Sequence, residues 1–409
     1  MLRLTASLSL LFLWICSFAG GTCALRDPQD SVRLSFPLVH SLWVNGGVDY
    51  VASSVGDEIR EEMLNKNIIK VNTAVPLQFK YSFSLTDPKI PHFLEGGYQG
   101  VGVSVLNLGA AQRRGIDKST DKIGYPVFAY IFQGGPVKRF SDVLRLDYEW
   151  NFGASFGWKP YCNANKNFNL TVGSKVNAYL SVGLNLHWQL SPHTSLFGGL
   201  AVSHVSNGNT SFPNPGINYF GLRLGMIWTL NPLDRITKPL TPDTTYRKKK
   251  LDYDITAWGS PRKRVYKGME PPVLLPGHYA NVGLSFSPMV NLSARWRVGG
   301  SLDLQWDRSS DMKRNYIEGS TTNDVHFATP SFWRQVCLGL SAHGELRMPI
   351  FAVNLGCGVN LVAPPEHRGT YQNLTLKAYV WENLFLNVGY QIRNFQQQGS
   401  LMLGAGITI

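Results

Sequence analysis

The stretch Lys175–Leu190, KVNAYLSVGLNLHWQL, decides the fold. Its even positions, Val176, Ala178, Leu180, Val182, Leu184, Leu186, Trp188 and Leu190, are all apolar. The odd positions are Lys175, Asn177, Tyr179, Ser181, Gly183, Asn185, His187 and Gln189. Side chains on a strand alternate faces with period two, so this run makes one apolar and one polar or small face. At about ten residues or more, that alternation reads as the wall of an outer-membrane β-barrel, with lipid outside and a polar lumen inside.

The neighbouring segments extend the wall. Thr194–Ser206 puts Leu196, Gly198, Leu200 and Val202 on the lipid side, and the same parity continues to His204 and Ser206. After the loop Asn207–Pro215, Gly216–Leu230 puts Phe220, Leu222, Leu224, Met226, Trp228 and Leu230 on that side, with Asn218 at its start. Polar groups on a lipid-facing wall are costly without partners or a task. His204, Ser206 and Asn218 are therefore the candidates for chemistry.

Working outward, the same periodicity appears at Pro76–Leu85, Tyr98–Leu108, Tyr125–Phe132 and Val143–Trp158, then from Tyr279 to Ile409. The expected fold is all-β, an antiparallel transmembrane β-barrel of about 14 strands. Trp158, Trp188, Trp228 and Trp381, near strand ends, suit interfacial girdles. Short turns face the periplasm and longer loops the outside. That rule puts Ser191–His193 in the periplasm and His204, Ser206 and Asn218 at the outer-leaflet rim. It also makes the turns after Val290, Leu346 and Trp381 periplasmic, which conflicts unless the connector holds a further crossing or separates two units. Leu251–Trp258 is the candidate, and one more at Leu34–Val44 would restore even parity. Fourteen or sixteen strands, and one barrel or two units, both stay open.

The segments divide as a signal peptide (1–24), an N-terminal segment (25–74), the strands of 75–230, a connector (231–277) and C-terminal strands (278–409). The signal peptide reads from Arg3, the apolar run Leu8–Ala19 and small residues through Ala24; Cys23 leaves a lipoprotein cleavage as the alternative. Asp57–Asn67 has the character of a short helix. Cys162, Cys337 and Cys357 remain after cleavage, an odd number at no metal-binding spacing, so no disulfide framework is expected. Neither a metal nor a cofactor is implied. Formal net charge is +12, and Arg235–Lys267 alone holds ten Lys/Arg against three Asp. An exported barrel meets no nucleic acid, so the anionic partner of that segment is a phosphorylated lipid head group, unless the segment is a solvated loop. The sequence leaves the oligomeric state unspecified.

His204 and Ser206 stand two apart on a strand, with Cβ atoms roughly 6–7 Å apart. An imidazole can reach the hydroxyl at that separation and take its proton as the hydroxyl attacks an ester. Asn218 on the next strand can hold the imidazole, and the turn Asn207–Gly208 can offer backbone N–H groups and the Asn207 amide to an oxyanion. The same residues could instead bind head groups without reacting. Glu149, Asp147 and Arg145 share the lumen face and read as internal pairing, and His187 and His343 face the lumen without a second ligand.

The run His204-Val-Ser206-Asn207-Gly208, followed by Pro213-Asn-Pro-Gly216-Ile-Asn218, resembles the active-site segment of the outer-membrane lipid A 3-O-deacylases of PagL type. Pro126–Phe132 is similar to a strand of that family, and the resemblance covers about 75–230. It implies an eight-stranded barrel with a serine-hydrolase site on its lipid side at the extracellular end. It also implies lipid A of lipopolysaccharide as partner and substrate, with the ester-linked chain at position 3 removed. By motif, His204 is the general base, Ser206 the nucleophile, and Asn207 and Gly208 lie at the oxyanion hole. One departure stands out: the family's acidic residue falls on Asn218, an amide that can orient imidazole but carries no charge. The alternative is a non-enzymatic porin or transporter, supported by the polar lumen and the large strand count.

Overall fold

The computed structural model describes residues 38–52, 69–70, 73–85, 96–108, 112–113, 124–160, 172–212, 214, 216–232, 251–266, 273–275, 277–293, 296–312, 328, 330–347, 351–381, 383–395 and 397–409. The expected signal peptide, the Asp57–Asn67 helix and Cys162 lie outside the described residues.

The chain folds into two closed antiparallel barrels of eight strands each, not a single barrel of about fourteen. The first comprises β1 (Leu38–Ala52), β2 (Thr73–Leu85), β3 (Tyr98–Asn107), β4 (Gly124–Arg139), β5 (Leu144–Trp158), β6 (Asn177–Gln189), β7 (Thr194–Ser206) and β8 (Ile217–Thr229). It closes by pairing β1 with β8, Val44 opposite Met226. The second comprises β9 (Leu251–Arg262), β10 (Tyr279–Asn291), β11 (Trp296–Asp307), β12 (Val336–Arg347), β13 (Phe351–Val362), β14 (Thr370–Tyr379), β15 (Leu384–Arg393) and β16 (Gln397–Thr408). It closes by pairing β9 with β16, from Asp254 opposite Thr408 to Gly259 opposite Leu403. Two two-residue ribbons, Ile69–Lys70 with Gln112–Arg113 and Val265–Tyr266 with Val273–Leu274, lie outside the walls.

The two further crossings are both present. β1 extends the Leu34–Val44 candidate, so the first barrel starts well before residue 75. β9 lies inside the 231–277 stretch, so the second barrel starts before 278. Sixteen crossings remove the parity conflict. The turns at Ser191–His193, after Asn291 and after Leu346 share one side, and the loops after Ser206 and Arg262 share the other.

Outward positions form an apolar belt: Leu184, Leu200, Leu222 and Leu224 on the first barrel, Leu284, Leu304, Leu340 and Leu355 on the second, are all exposed. Trp188, Trp228 and Trp381 are exposed at strand ends, as girdle residues should be. Trp158 is not: it is buried, and its Nε1 donates to Ser155 Oγ at 2.9 Å. Gly157 before it has φ +86° and the β4–β5 register shifts there, so the alternation reverses and the indole turns inward.

An eight-stranded barrel has an interior just wide enough for side chains to fill, and both lumens are filled. In the first, Lys80 Nζ lies 2.6 Å from Glu149 Oε1 and 4.6 Å from the Trp43 ring, and Arg223 forks onto Asp49. The void among Asn45, Lys80, Glu149 and Arg223 is about 20 Å³, room for about one water. In the second, Arg297 and Lys377 bridge Asp254 and Glu345. Each charge is paired and hydrogen-bonded, the condition for burying it.

Candidate active site

β7 carries His204 and Ser206 on the outward face, while Ser203 and Val205 between and beside them point into the lumen and are buried. β8 is the antiparallel neighbour, with Asn218 directly opposite His204. The three sequence candidates therefore meet at one end of the first barrel. His204 Nε2 lies 2.9 Å from Ser206 Oγ, and His204 Nδ1 lies 2.7 Å from Asn218 Oδ1. An amide oxygen only accepts, so Nδ1 carries the hydrogen and donates it to Asn218. Nε2 is then the acceptor, and the Ser206 hydroxyl donates to it. All three side chains are half-buried, above the exposed Val202 and Phe220.

The turn after Ser206 is held tightly. Thr210 donates to the Asn207 carbonyl through both its backbone N–H (3.2 Å) and its hydroxyl (2.7 Å). The Asn207 amide donates to the Ser211 carbonyl at 3.1 Å, so that side chain is folded into the turn. Gly208 and Asn209 follow with φ +61° and +63°, two successive left-handed residues. Glycine adopts that conformation freely and asparagine more readily than most other residues.

Gly216 is a residue the sequence reading did not single out. It has φ +73°, and a Cβ there would sit 3.0 Å from His204 Cε1, 3.0 Å from the Ser206 Cβ and 2.5 Å from the Val205 carbonyl oxygen. The loop can return to β8 beside the histidine only with a hydrogen at this position. Its left-handed φ was not legible from periodicity, although a Gly two residues before Asn218 was a visible signal.

A second Ser–His–Asn arrangement occurs in the lumen of the second barrel. Ser341 Oγ lies 2.8 Å from His343 Nε2, and His343 Nδ1 lies 2.7 Å from Asn354 Oδ1. The Ser341 hydroxyl, however, donates to Asp303 Oδ2 at 2.6 Å, and Tyr371 donates to the same oxygen. Asp303 therefore competes with His343 for the single serine proton, because a carboxylate only accepts. Ser206 has no carboxylate among its described hydrogen-bond partners, and its hydroxyl faces the imidazole. The two arrangements share residue types and spacing, and differ in the carboxylate that shares the second serine.

Residues 98–227 match the family model of the lipid A 3-O-deacylases (PagL). Residues 251–409 match the model described as the acyloxyacyl hydrolase C-terminal domain. Between them the two matches take in most of the chain, one per barrel. The chain belongs to the PagL-type family. Family and barrel fold together make it an outer-membrane protein. No curated protein sequence matches the chain. Among solved structures it is similar to the siderophore receptor PirA of Acinetobacter baumannii at 8% identity, covering 81% of this chain and 52% of that one, with TM-score 0.20. The toluene transporter TbuX of Ralstonia pickettii also matches at 8% identity, over 92% and 88% of the two chains, with TM-score 0.17. The chain thus spans about half the length of the first of these relatives.

Proposed function

We propose that this PagL-type chain is a serine esterase of the outer membrane that removes the ester-linked acyl chain at position 3 of lipid A. The observation that carries the reading is the His204 ring bridging Ser206 and Asn218 at 2.9 and 2.7 Å on the outward face of the wall.

The Ser206 oxygen attacks the ester carbonyl while His204 Nε2 takes its proton, and Asn218 holds the Nδ1–H tautomer. The tetrahedral oxyanion is met by backbone N–H groups at Asn207 and Gly208, which the tight turn fixes in advance. Collapse breaks the bond to the sugar oxygen, which leaves with the proton from His204. Water then attacks the acyl-serine, His204 takes a proton from it, and the fatty acid departs as Ser206 is restored. The apolar surface at Val202 and Phe220 gives the acyl chain a lipid-like floor. The porin or transporter alternative finds no support in lumens closed by Lys80–Glu149, Arg223–Asp49 and Arg297–Glu345.

Mass spectrometry of lipid A from a host expressing the chain tests the reading. Loss of one hydroxyacyl mass with the parent and none with Ser206→Ala is expected. The same loss from the Ser206→Ala host would sink the assignment of the nucleophile.

A further inference from the structure

The second barrel does not close along its whole height. β9 and β16 pair from Asp254/Thr408 to Gly259/Leu403, with Tyr253 and Ile409 exchanging backbone hydrogen bonds one rung lower, and the register stops at Gly259/Leu403 at the upper end. Ser260, Pro261 and Arg262 on one side, and Gly399, Ser400 and Leu401 on the other, lie above the last rung of that seam. Arg262 partly spans the gap, its guanidinium donating to the Gly399 carbonyl at 2.8 Å and bonding Ser400 Oγ. Its other arm holds Asp307.

The turn that follows Ser206 fits into this opening. The Leu401 N–H donates to the Gly208 carbonyl (3.2 Å), and the Lys263 N–H donates to the Thr210 carbonyl (2.8 Å). From the other direction, the Asn209 amide donates to the Gly399 carbonyl at 2.8 Å. A Cβ on Gly208 would lie 2.9 Å from Leu401 Cβ and 3.2 Å from Leu401 Cδ1. Three consecutive residues of the first barrel's turn are thus each tied to a different point of the second barrel, two from β16 and one just past β9.

The geometry points to a role for the second barrel in the reaction of the first: through Gly399, Leu401 and Lys263 it holds the Asn207–Thr210 turn, and so the oxyanion donors, in working position. This rests on the reading of Ser206 as the nucleophile. Gly399, Leu401 and Asn209 are positioning residues, because they act through the turn and do not touch the reacting atoms. An oxyanion hole works by being fixed before charge develops, so loosening it reduces turnover rather than substrate binding. Within the first barrel, the bonds of Asn207 to Thr210 and Ser211 close the turn on itself, and the second barrel adds contacts at its outer edge.

The test uses the full chain, with kcat and KM measured on lipid A in mixed phospholipid–detergent micelles and the folded fraction read from heat-modifiable migration on gels. Asn209→Gly keeps the left-handed backbone and deletes only the amide that reaches Gly399. It is expected to lower kcat by about tenfold, with KM within about twofold. Parent-like kcat in the folded variant would overturn the proposal. If Asn209→Gly does not fold, a double-mutant cycle decides: Gly208→Ala should be relieved in part by adding Leu401→Gly, which removes the colliding side chain. An equal deficit with and without the Leu401 side chain would overturn it. Ser206→Ala is run beside these variants. Activity retained there would remove the nucleophile reading itself, whereas an inactive Ser206→Ala with an unaffected Asn209→Gly would remove only the role of the second barrel.

Discussion

Asn218 faces His204 across the β7–β8 seam as its direct register partner, with Oδ1 2.7 Å from Nδ1. In the proposed reaction the pair fixes which ring nitrogen acts as base, without placing a negative charge beside the imidazolium that would form. Asn218→Ala should therefore lower kcat by a factor on the order of 10²–10⁴, as loss of the correct tautomer does in serine hydrolases. Asn218→Asp, nearly isosteric, should raise kcat above the parent by adding that charge. Initial rates of acyl release compare the two, and a slower Asn218→Asp would mean that the amide is itself required.

Gly216→Ala should leave both barrels folded and still disable the site. Its methyl group would push on His204 Cε1 and the Ser206 Cβ at 3.0 Å, in a backbone conformation at φ +73° that alanine resists. A displacement of the order of 1 Å is enough to cost about a hundredfold in rate. Steady-state kinetics on refolded protein with unchanged far-ultraviolet circular dichroism is the check.

The Arg223–Asp49 pair should behave as a buried ion pair in the first lumen, where the two residues are 5% and 0% exposed. Arg223→Met leaves Asp49 buried without its partner, which costs about 3–5 kcal/mol. The double variant Arg223→Met/Asp49→Leu should recover most of that loss. Denaturant unfolding in lipid vesicles measures both.

Neither barrel should conduct. Lys80–Glu149 in one lumen and Arg297–Glu345 in the other cross interiors that eight strands leave only wide enough for side chains. Planar bilayers containing the purified chain should show no steady conductance, and a stable unitary current would restore the transporter reading.

One pH effect follows from His367, outside the strands in the turn between β13 and β14. Its Nε2 lies 3.0 Å from Ser310 Oγ and 3.4 Å from Asp307 Oδ2, with Arg262 and Arg393 nearby. Burial pushes its pKa below the ordinary histidine value, a shift that the bond to Asp307 opposes. Between the lowered folded value and about 6.5 in the unfolded chain, the unfolded state binds more protons. The contribution is therefore fully present above about pH 6.5 and is lost as pH falls through the folded value. His367→Gln should flatten that part of the profile of melting temperature against pH, which thermal scans of the two proteins would reveal.

Period-two alternation made most of the wall legible, because a lipid face and a lumen face demand opposite side chains. It was weakest at the start of β1, where Trp43 points inward between Ser41 and Asn45 while Leu42 and Val44 point outward, so three successive large apolar residues hide the alternation. β9 was obscured by the basic runs on either side, although Asp252, Asp254, Thr256 and Arg262 all point inward. Alternation also says nothing of closure. Whether a strand returns to β1 or continues into a larger sheet depends on pairings such as Val44 with Met226, between residues far apart in sequence. His204 and Ser206 could be placed together because they share a strand face, and Asn218 because it stands at the start of the very next strand on the same face. Leu401 could not, since its contact with Gly208 depends on how two separately closed barrels meet.

The placement of Ser206 on the outside of a filled barrel has a kinetic consequence. If Ser206 is the nucleophile as proposed, a substrate embedded in the leaflet would reach it by lateral diffusion, and turnover would follow the mole fraction of substrate in the membrane surface and not its amount per volume of medium. Diluting the leaflet with inert lipid would slow such an enzyme while the total substrate stays constant. The fatty acid released by the proposed reaction would stay in the same two-dimensional phase as the substrate and would compete for the wall beside Val202 and Phe220 until carried away.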